Sequence, residues 1–123
     1  MFCIKRITEE RIAHRILGSF GVDHPAAMVY GAFEDGEVLA TAIFLEKEDC
    51  LVMEDIDTGK RIDASLADAI AQAAFHAGIR IGIQQGQLGE KLPQELCLAL
   101  TKRGYEMGQA FPLKTFFQKK RKS

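Results

Sequence analysis

Long hydrophobic runs are missing from this chain, which excludes a membrane-spanning helix at once. Its uninterrupted apolar stretches, such as Ala42 to Leu45, last only a few residues, against roughly 20 for a helix that crosses a bilayer. The opening Met1-Phe2-Cys3-Ile4-Lys5-Arg6 becomes charged before an apolar run develops. It does not read as a signal peptide, and a cytoplasmic protein is expected. Cysteine is scarce and odd in number: Cys3, Cys50 and Cys97 are far apart and form no Cys-x-x-Cys pair. That excludes a disulfide framework and a zinc site, and predicts reduced, mostly packed thiols. His14, His24 and His76 share no ligand spacing with acids or cysteines, so no metal is expected. Gln84-Gln85-Gly86-Gln87-Leu88-Gly89 contains glycines but is followed by no Lys-Ser/Thr pair. It reads as a mobile connector rather than a phosphate loop. No basic stripe is interleaved with aromatics, so nucleic acid is not an expected partner. The basic end Lys119-Lys120-Arg121-Lys122 reads as a frayed, solvated terminus.

With 47% hydrophobic and 27% charged residues in 123, what remains is ordinary globular material long enough for one core. No repeat, linker or composition break divides residues 1–123, so one domain is expected. The net charge of −1 hides an asymmetry, because nine of the 17 acids fall between Glu34 and Asp57. Phe2 to Ile7 alternates as a strand, and Thr8 then offers an N-cap to a helix carrying Ile12, Ile16 and Leu17. Met28 to Phe33 and Val38 to Leu45 are strands joined at Asp35-Gly36, a strong hairpin signal. Cys50 to Met53 reads as a buried strand ending in Glu54-Asp55-Ile56-Asp57. Asp63 to Ala77, alanine-rich and free of glycine and proline, is the clearest helix, with Gly78 at its C-terminal cap and His76 near the end of its dipole. Ile79 to Ile83 alternates like a strand, Pro93 opens a helix reaching about Arg103, and Tyr105 to Gln109 and Leu113 to Gln118 read as two last strands. Phe111, Phe116 and Phe117 either complete the core or leave a dimer contact exposed.

The resulting order, β-α-β-β-β-α-β-α-β-β, resembles that of the GNAT acetyltransferases. Several local features fall in register with the family. They are Ile4-Lys5-Arg6-Ile7-Thr8-Glu9-Glu10 before the first helix, the Asp35-Gly36 turn, the strand-turn-helix from Leu51 to Ile70, and Lys102-Arg103-Gly104-Tyr105 near the end. The resemblance implies an α+β, three-layer αβα fold with a mixed, mostly antiparallel central sheet. It also implies transfer of an acyl group from acetyl-CoA to the amine of a small molecule or peptide. The strand from Met53 to Asp57 would align the pantetheine through its backbone, and Glu54 would be the general base, acting through a water.

The family's phosphate turn, Arg/Gln-x-x-Gly-x-Gly/Ala, falls on Thr58-Gly59-Lys60-Arg61-Ile62-Asp63, with Ala64 beginning the helix. Both glycine positions are lost, to Arg61 and Asp63. Small residues there normally let backbone N–H groups reach a pyrophosphate. An Asp63 N-cap would take those amides and repel the anion. Lys60 and Arg61 supply a substitute by side chain, or else decorate a solvated turn above a capped helix. The family's acidic tyrosine position is Leu100, which has no proton to give. The connection from Gly21 to Ala27 is too short for the helix that usually walls the acceptor site. Two readings follow: an acyltransferase with a degenerate coenzyme turn, or a non-catalytic module of the same fold that binds a partner or forms a homodimer.

Overall fold

A computed structural model describes residues 1–122, with side chains through Lys120. Its elements in chain order are β1 (Phe2–Arg6), α1 (Glu10–Ser19), β2 (Met28–Glu34), β3 (Glu37–Lys47) and β4 (Cys50–Asp57), followed by α2 (Ala64–Arg80), β5 (Gln85–Leu88), α3 (Gln94–Thr101), β6 (Phe111–Pro112) and α4 (Leu113–Lys122). The strands form one sheet in the order β1-β2-β3-β4-β5-β6. Every neighbouring pair is antiparallel except β4 with β5. The fold is therefore α+β with a mixed, mostly antiparallel sheet, as the resemblance implies.

The hairpin forms where expected. Glu34 faces Glu37 across Asp35 and Gly36, which both adopt positive φ, 50° and 85°. This is the backbone geometry that two-residue hairpin loops favour and that Asp-Gly tolerates. Alternation then sorts the strands. Tyr30, Ala32, Ala40, Ala42, Phe44, Leu51 and Met53 share a core with Ile70, Ala74 and Phe75 of α2. Fully burying residues such as Ile70 and Phe75 contributes roughly 1.5–3 kcal/mol each.

Four local expectations are corrected. Glu9, not Thr8, caps α1, its carboxylate accepting from the Arg11 and Ile12 N–H groups. Ile79 to Ile83 is no strand. The helix α2 runs through Gly78 to Arg80, and the Ile83 N–H returns to the Gly78 carbonyl at 2.9 Å. Gly78 is used for closeness rather than as a cap, since a Cβ there would stand 3.3 Å from the Leu51 side chain. The fifth strand is instead β5, in the glycine-containing segment that reads as a connector. Gly86 lets Leu113 and Phe75 pack onto this strand, with 2.8 Å and 3.0 Å left to an added Cβ.

The chain end is the largest departure. Tyr105 to Gln109 carries no strand and Leu113 to Gln118 is helical, so the last element is α4 rather than a seventh strand. Leu113, Phe116 and Phe117 are buried, as is Phe111. The three phenylalanines thus belong to the core. Phe117 stacks on His76 of α2 with ring centroids 3.7 Å apart. Lys119 and Lys120 lie on this helix, whereas Ser123 and the side chains of Arg121 and Lys122 fall outside the described residues.

Beneath α4 sits Asp68, the one buried charged residue among the described residues. Tyr105 donates its hydroxyl to Asp68 at 2.7 Å, Lys120 approaches the carboxylate to 3.2 Å and Arg103 to 3.4 Å. Burial, followed by the adjacent Asp68 carboxylate, pushes the Tyr105 hydroxyl far above the ordinary tyrosine range. This network ties α2, the segment after α3, and α4 together.

Candidate functional site

The site begins with a one-residue irregularity in β4. Phe44 pairs with Met53 but Ile43 pairs with Asp55, leaving Glu54 as an extra residue on the strand. A bulge of this kind bends the strand and re-aims side chains, and is common beside active sites. Leu51 and Met53 point into the α2 core at the normal spacing of two, but the next core residue is Ile56 rather than Asp55. Two consecutive acids, Glu54 and Asp55, are thereby kept out of the core and half-buried.

Immediately past the bulge, β4 and β5 part. Their pairing runs from Cys50–Gln85 to Met53–Leu88 and ends there. The Gly89 N–H closes the ladder on the Met53 carbonyl at 2.9 Å. Gly89 is the most confined of the glycines: a Cβ would lie 2.6 Å from the Met53 oxygen and 3.1 Å from the Glu54 Cα. β4 stays paired with β3 as far as Asp57, while the chain after β5 turns away into α3. The edge of β4 from Glu54 to Asp57 is therefore released from β5.

Clefts flank this parting. One, about 290 Å³, is lined by Lys47, Val52, Glu54, Gln87, Gly89 and Lys91 among others. The Lys47 ammonium lies 2.7 Å from the Glu54 carboxylate. Since Lys47 is well exposed and Glu54 is not, the pair orients the acid more than it stabilises the fold. A second cleft of about 280 Å³ adjoins Leu88, Gly89, Cys97 and Met107. Burial raises the Cys97 thiol above its usual range, so this cysteine is not a reactive thiolate at neutral pH.

The third component is the turn into α2, beside a cleft of about 200 Å³ bounded by Ile56, Gly59 to Ile62, Pro93 and Leu96. Its polar groups are largely satisfied from within. The Thr58 hydroxyl donates to the Arg61 carbonyl at 2.6 Å and accepts the Asp63 N–H at 3.1 Å. The Asp57 carboxylate accepts the Gly59 N–H at 2.9 Å, and Asp63 caps α2 by accepting the Leu66 N–H at 3.0 Å. Gly59 has φ 86°, the left-handed conformation that favours glycine. Lys60, Arg61 and Ile62 are exposed, and Ala64 opens the helix.

The sequence-predicted residues thus fall into two neighbouring groups. Glu54 lies at the bulge, while Gly59 to Ala64 form the turn one strand-end away. Met53 is fully buried with its carbonyl taken by Gly89, so the open edge begins at Glu54. Leu100 is also fully buried. Lys47, Gln87 and Gly89 were not anticipated, because strand pairing alone brings them to Glu54. Residues 20–27 contain no helix. Among the described residues no cluster of three or more His, Cys, Asp or Glu side chains is placed to hold a metal ion, and no helix is long and apolar enough to cross a membrane.

No family model matches the chain, and no curated protein matches it. Solved structures do: twelve chains align with it. A ribosomal-protein-alanine N-acetyltransferase from Brucella melitensis superposes with a TM-score of 0.66 at 16% identity, over 89% of this chain and 94% of that one. A coenzyme A-bound N-acetyl transferase candidate from E. coli gives 0.64 at 8% identity over the same shares. The ribosomal-protein-S18-alanine N-acetyltransferase from Escherichia coli gives 0.63 at 14%, over 84% and 76%. Identities this low speak for architecture alone, and the architecture is that of the GNAT N-acetyltransferases.

Proposed function

We propose that this chain binds an acyl-coenzyme A thioester in the gap between β4 and β5 and transfers the acyl group to an amine. The observation that carries the reading is the parting of the two strands after Met53 and Leu88, with Glu54 bulged at its apex. The β4 edge from Glu54 to Asp57 is extended main chain with no β5 partner, suited to the amide groups of a pantetheine arm, with the Ile56 N–H already accepted by the Asp55 carboxylate at 2.8 Å. The coenzyme A-bound structural neighbour supports that choice of ligand. Fit at the phosphate end is different: the turn's Gly59, Asp63 and Leu66 N–H groups already have internal acceptors. Lys60 and Arg61 would meet the phosphates with side chains instead.

A thioester supplies an activated carbonyl; the chain's task is to deliver a neutral amine to it. Glu54 accepts the amine proton, directly or through a water, while Lys47 fixes the carboxylate. Leu100 offers no acid for the departing thiolate. The Tyr105 hydroxyl is committed to Asp68, so that proton comes from solvent. The short connection between α1 and β2 holds no helix that could wall an acceptor site, which suits the amine of a small molecule or a peptide. The neighbours named for ribosomal-protein alanine acetylation favour the same acceptor class.

The test is thermal unfolding with acetyl-CoA. At 1 mM ligand and a Kd of about 10 µM, binding adds about 2.7 kcal/mol, or a rise of about 10 °C for a domain of this size. Asp63 favours a second reading, a non-catalytic module that associates with itself or a partner, because its carboxylate occupies the helix N-terminus where a pyrophosphate would bind. That reading expects no coenzyme shift, with association visible by light scattering.

A further inference from the structure

The other concentration of charge lies across the molecule's helical side. A cleft of about 410 Å³ is lined by Lys102, Arg103, Gly104, Phe116, Lys119 and Lys120. Among the described residues, four cationic side chains and no carboxylate form its wall. Cations at the end of α3 suit that helix's dipole, which accounts for Lys102 and Arg103. It does not account for Lys119 and Lys120, which α4 brings to the same cleft from a different part of the chain.

Asp68 lies behind the wall and offsets one of the four charges. It already accepts from the Tyr105 hydroxyl as well as meeting Arg103 and Lys120, so among the described residues the cations of the wall outnumber the carboxylates that meet them. The wall is also held in place. Arg103 is fixed by Asp68 and by the Ser65 hydroxyl at 2.9 Å, which uses two of the five donors on its guanidinium. Lys120 rests over the rings of Tyr105 and Phe116, 5.5 and 5.2 Å from their centroids. Both rings are buried, giving the cleft an apolar floor on which charge is poorly screened. Anchored cations around a recess of this size match a compact dianion better than they match bulk counterions.

We propose that this cleft binds a terminal phosphate or diphosphate group. The inference stands apart from the acyltransferase reading, because inorganic pyrophosphate is a sufficient probe. Ser65 lies in the first turn of α2, next to the turn holding Lys60 and Arg61. The phosphate can thus belong either to a coenzyme seated at that turn or to a separate phosphorylated molecule.

The experiment is an amide NMR titration with pyrophosphate at low salt on the whole chain. Saturable shifts centred on Arg103 to Tyr105 and on Lys119 and Lys120 are expected. Lys102→Ala combined with Lys119→Ala removes two charges outside the Asp68 network, leaving the fold intact by circular dichroism. It is expected to weaken binding roughly 25-fold, about fivefold per charge. Arg11→Ala with Arg15→Ala, which removes two exposed cations of α1, is expected to leave pyrophosphate binding unchanged. No saturable shift, or shifts centred on Lys60 and Arg61 that the cleft variant leaves unchanged, overturns the proposal. Coenzyme A and its 3′-dephospho form then separate the sources. If the cleft variant weakens only the phosphorylated form, the phosphate is the coenzyme's. If it weakens pyrophosphate and spares both, the occupant is a separate phosphorylated ligand.

Discussion

Tyr105→Phe deletes one oxygen from the most connected polar group in the core, and its cost follows from that group's geometry. The lost bond is the 2.7 Å donation to Asp68, from a residue 3% exposed to one 7% exposed. Arg103 and Lys120 remain at 3.4 and 3.2 Å, so the carboxylate is left short of a donor but not unpaired. Hydrogen bonds to a charged group are worth about 1.5–3 kcal/mol, which sets the expected loss near 2 kcal/mol. Unfolding entropy of about 2.1 cal/mol/K per residue converts this to a fall in Tm of about 8 °C. The pH dependence gives the loss a signature. Burial and the Asp68 charge raise the folded tyrosine above its unfolded value. The folded state therefore holds the proton more tightly, and this contribution is complete below the unfolded pKa of about 10. Above it, wild-type stability falls by about 1.4 kcal/mol per pH unit from this group alone, a component the variant lacks. Calorimetry of both proteins from pH 7 to 11 should show a gap that narrows above pH 10. Equal Tm values at pH 7 together with parallel alkaline profiles would refute the buried network.

Gly89→Ala forces a methyl against the Met53 carbonyl, only 2.6 Å away on rigid backbone. An overpacking cost of about 1–3 kcal/mol is expected by urea denaturation, with acetyl-CoA binding lost even where the variant is folded. Glu54→Gln should bind acetyl-CoA normally and turn over about 100-fold more slowly; thiol-release assays that find no change would remove Glu54 as the base. Asp63→Gly sacrifices a few tenths of a kcal/mol of helix capping and removes the charge facing the phosphates. Affinity for acetyl-CoA by calorimetry is expected to rise about fivefold, and an unchanged value would place the phosphates elsewhere.

What the sequence conveys about this fold depends on whether periodicity or packing decides each element. The helix from Asp63 and the Asp35-Gly36 hairpin are determined locally, by alanine content, capping and turn chemistry, and both form, with the helix running past Gly78 to Arg80. Gln85 to Leu88 has no strand character of its own. It is extended because β4 and Phe111 pair with it and because Gly86 admits two large neighbours. Leu113 to Gln118 reads as a strand from its Thr-Phe-Phe run. Yet Leu113, Phe116, Phe117 and Lys120 fall at i, i+3, i+4 and i+7, the helical spacing that α4 adopts.

The site divides in the same way. The bulge leaves a trace in the sequence, since Leu51, Met53 and Ile56 break strict alternation across two acids. The Asp63 cap is likewise visible in the sequence and is present in the structure. Gly89 and Lys47 reach Glu54 only through long-range pairing and carry no local signal. Neither does the cation cluster of Lys102, Arg103, Lys119 and Lys120, because its halves join only when α4 folds back onto Asp68.

The central claim is that the parted strands hold the thioester, and amide NMR during titration with acetyl-CoA addresses it residue by residue. Saturable shifts are expected along Glu54 to Asp57, at Gly89 and at Lys60 and Arg61. A titration that leaves Glu54 to Asp57 and Gly89 unmoved at millimolar acetyl-CoA would contradict the account.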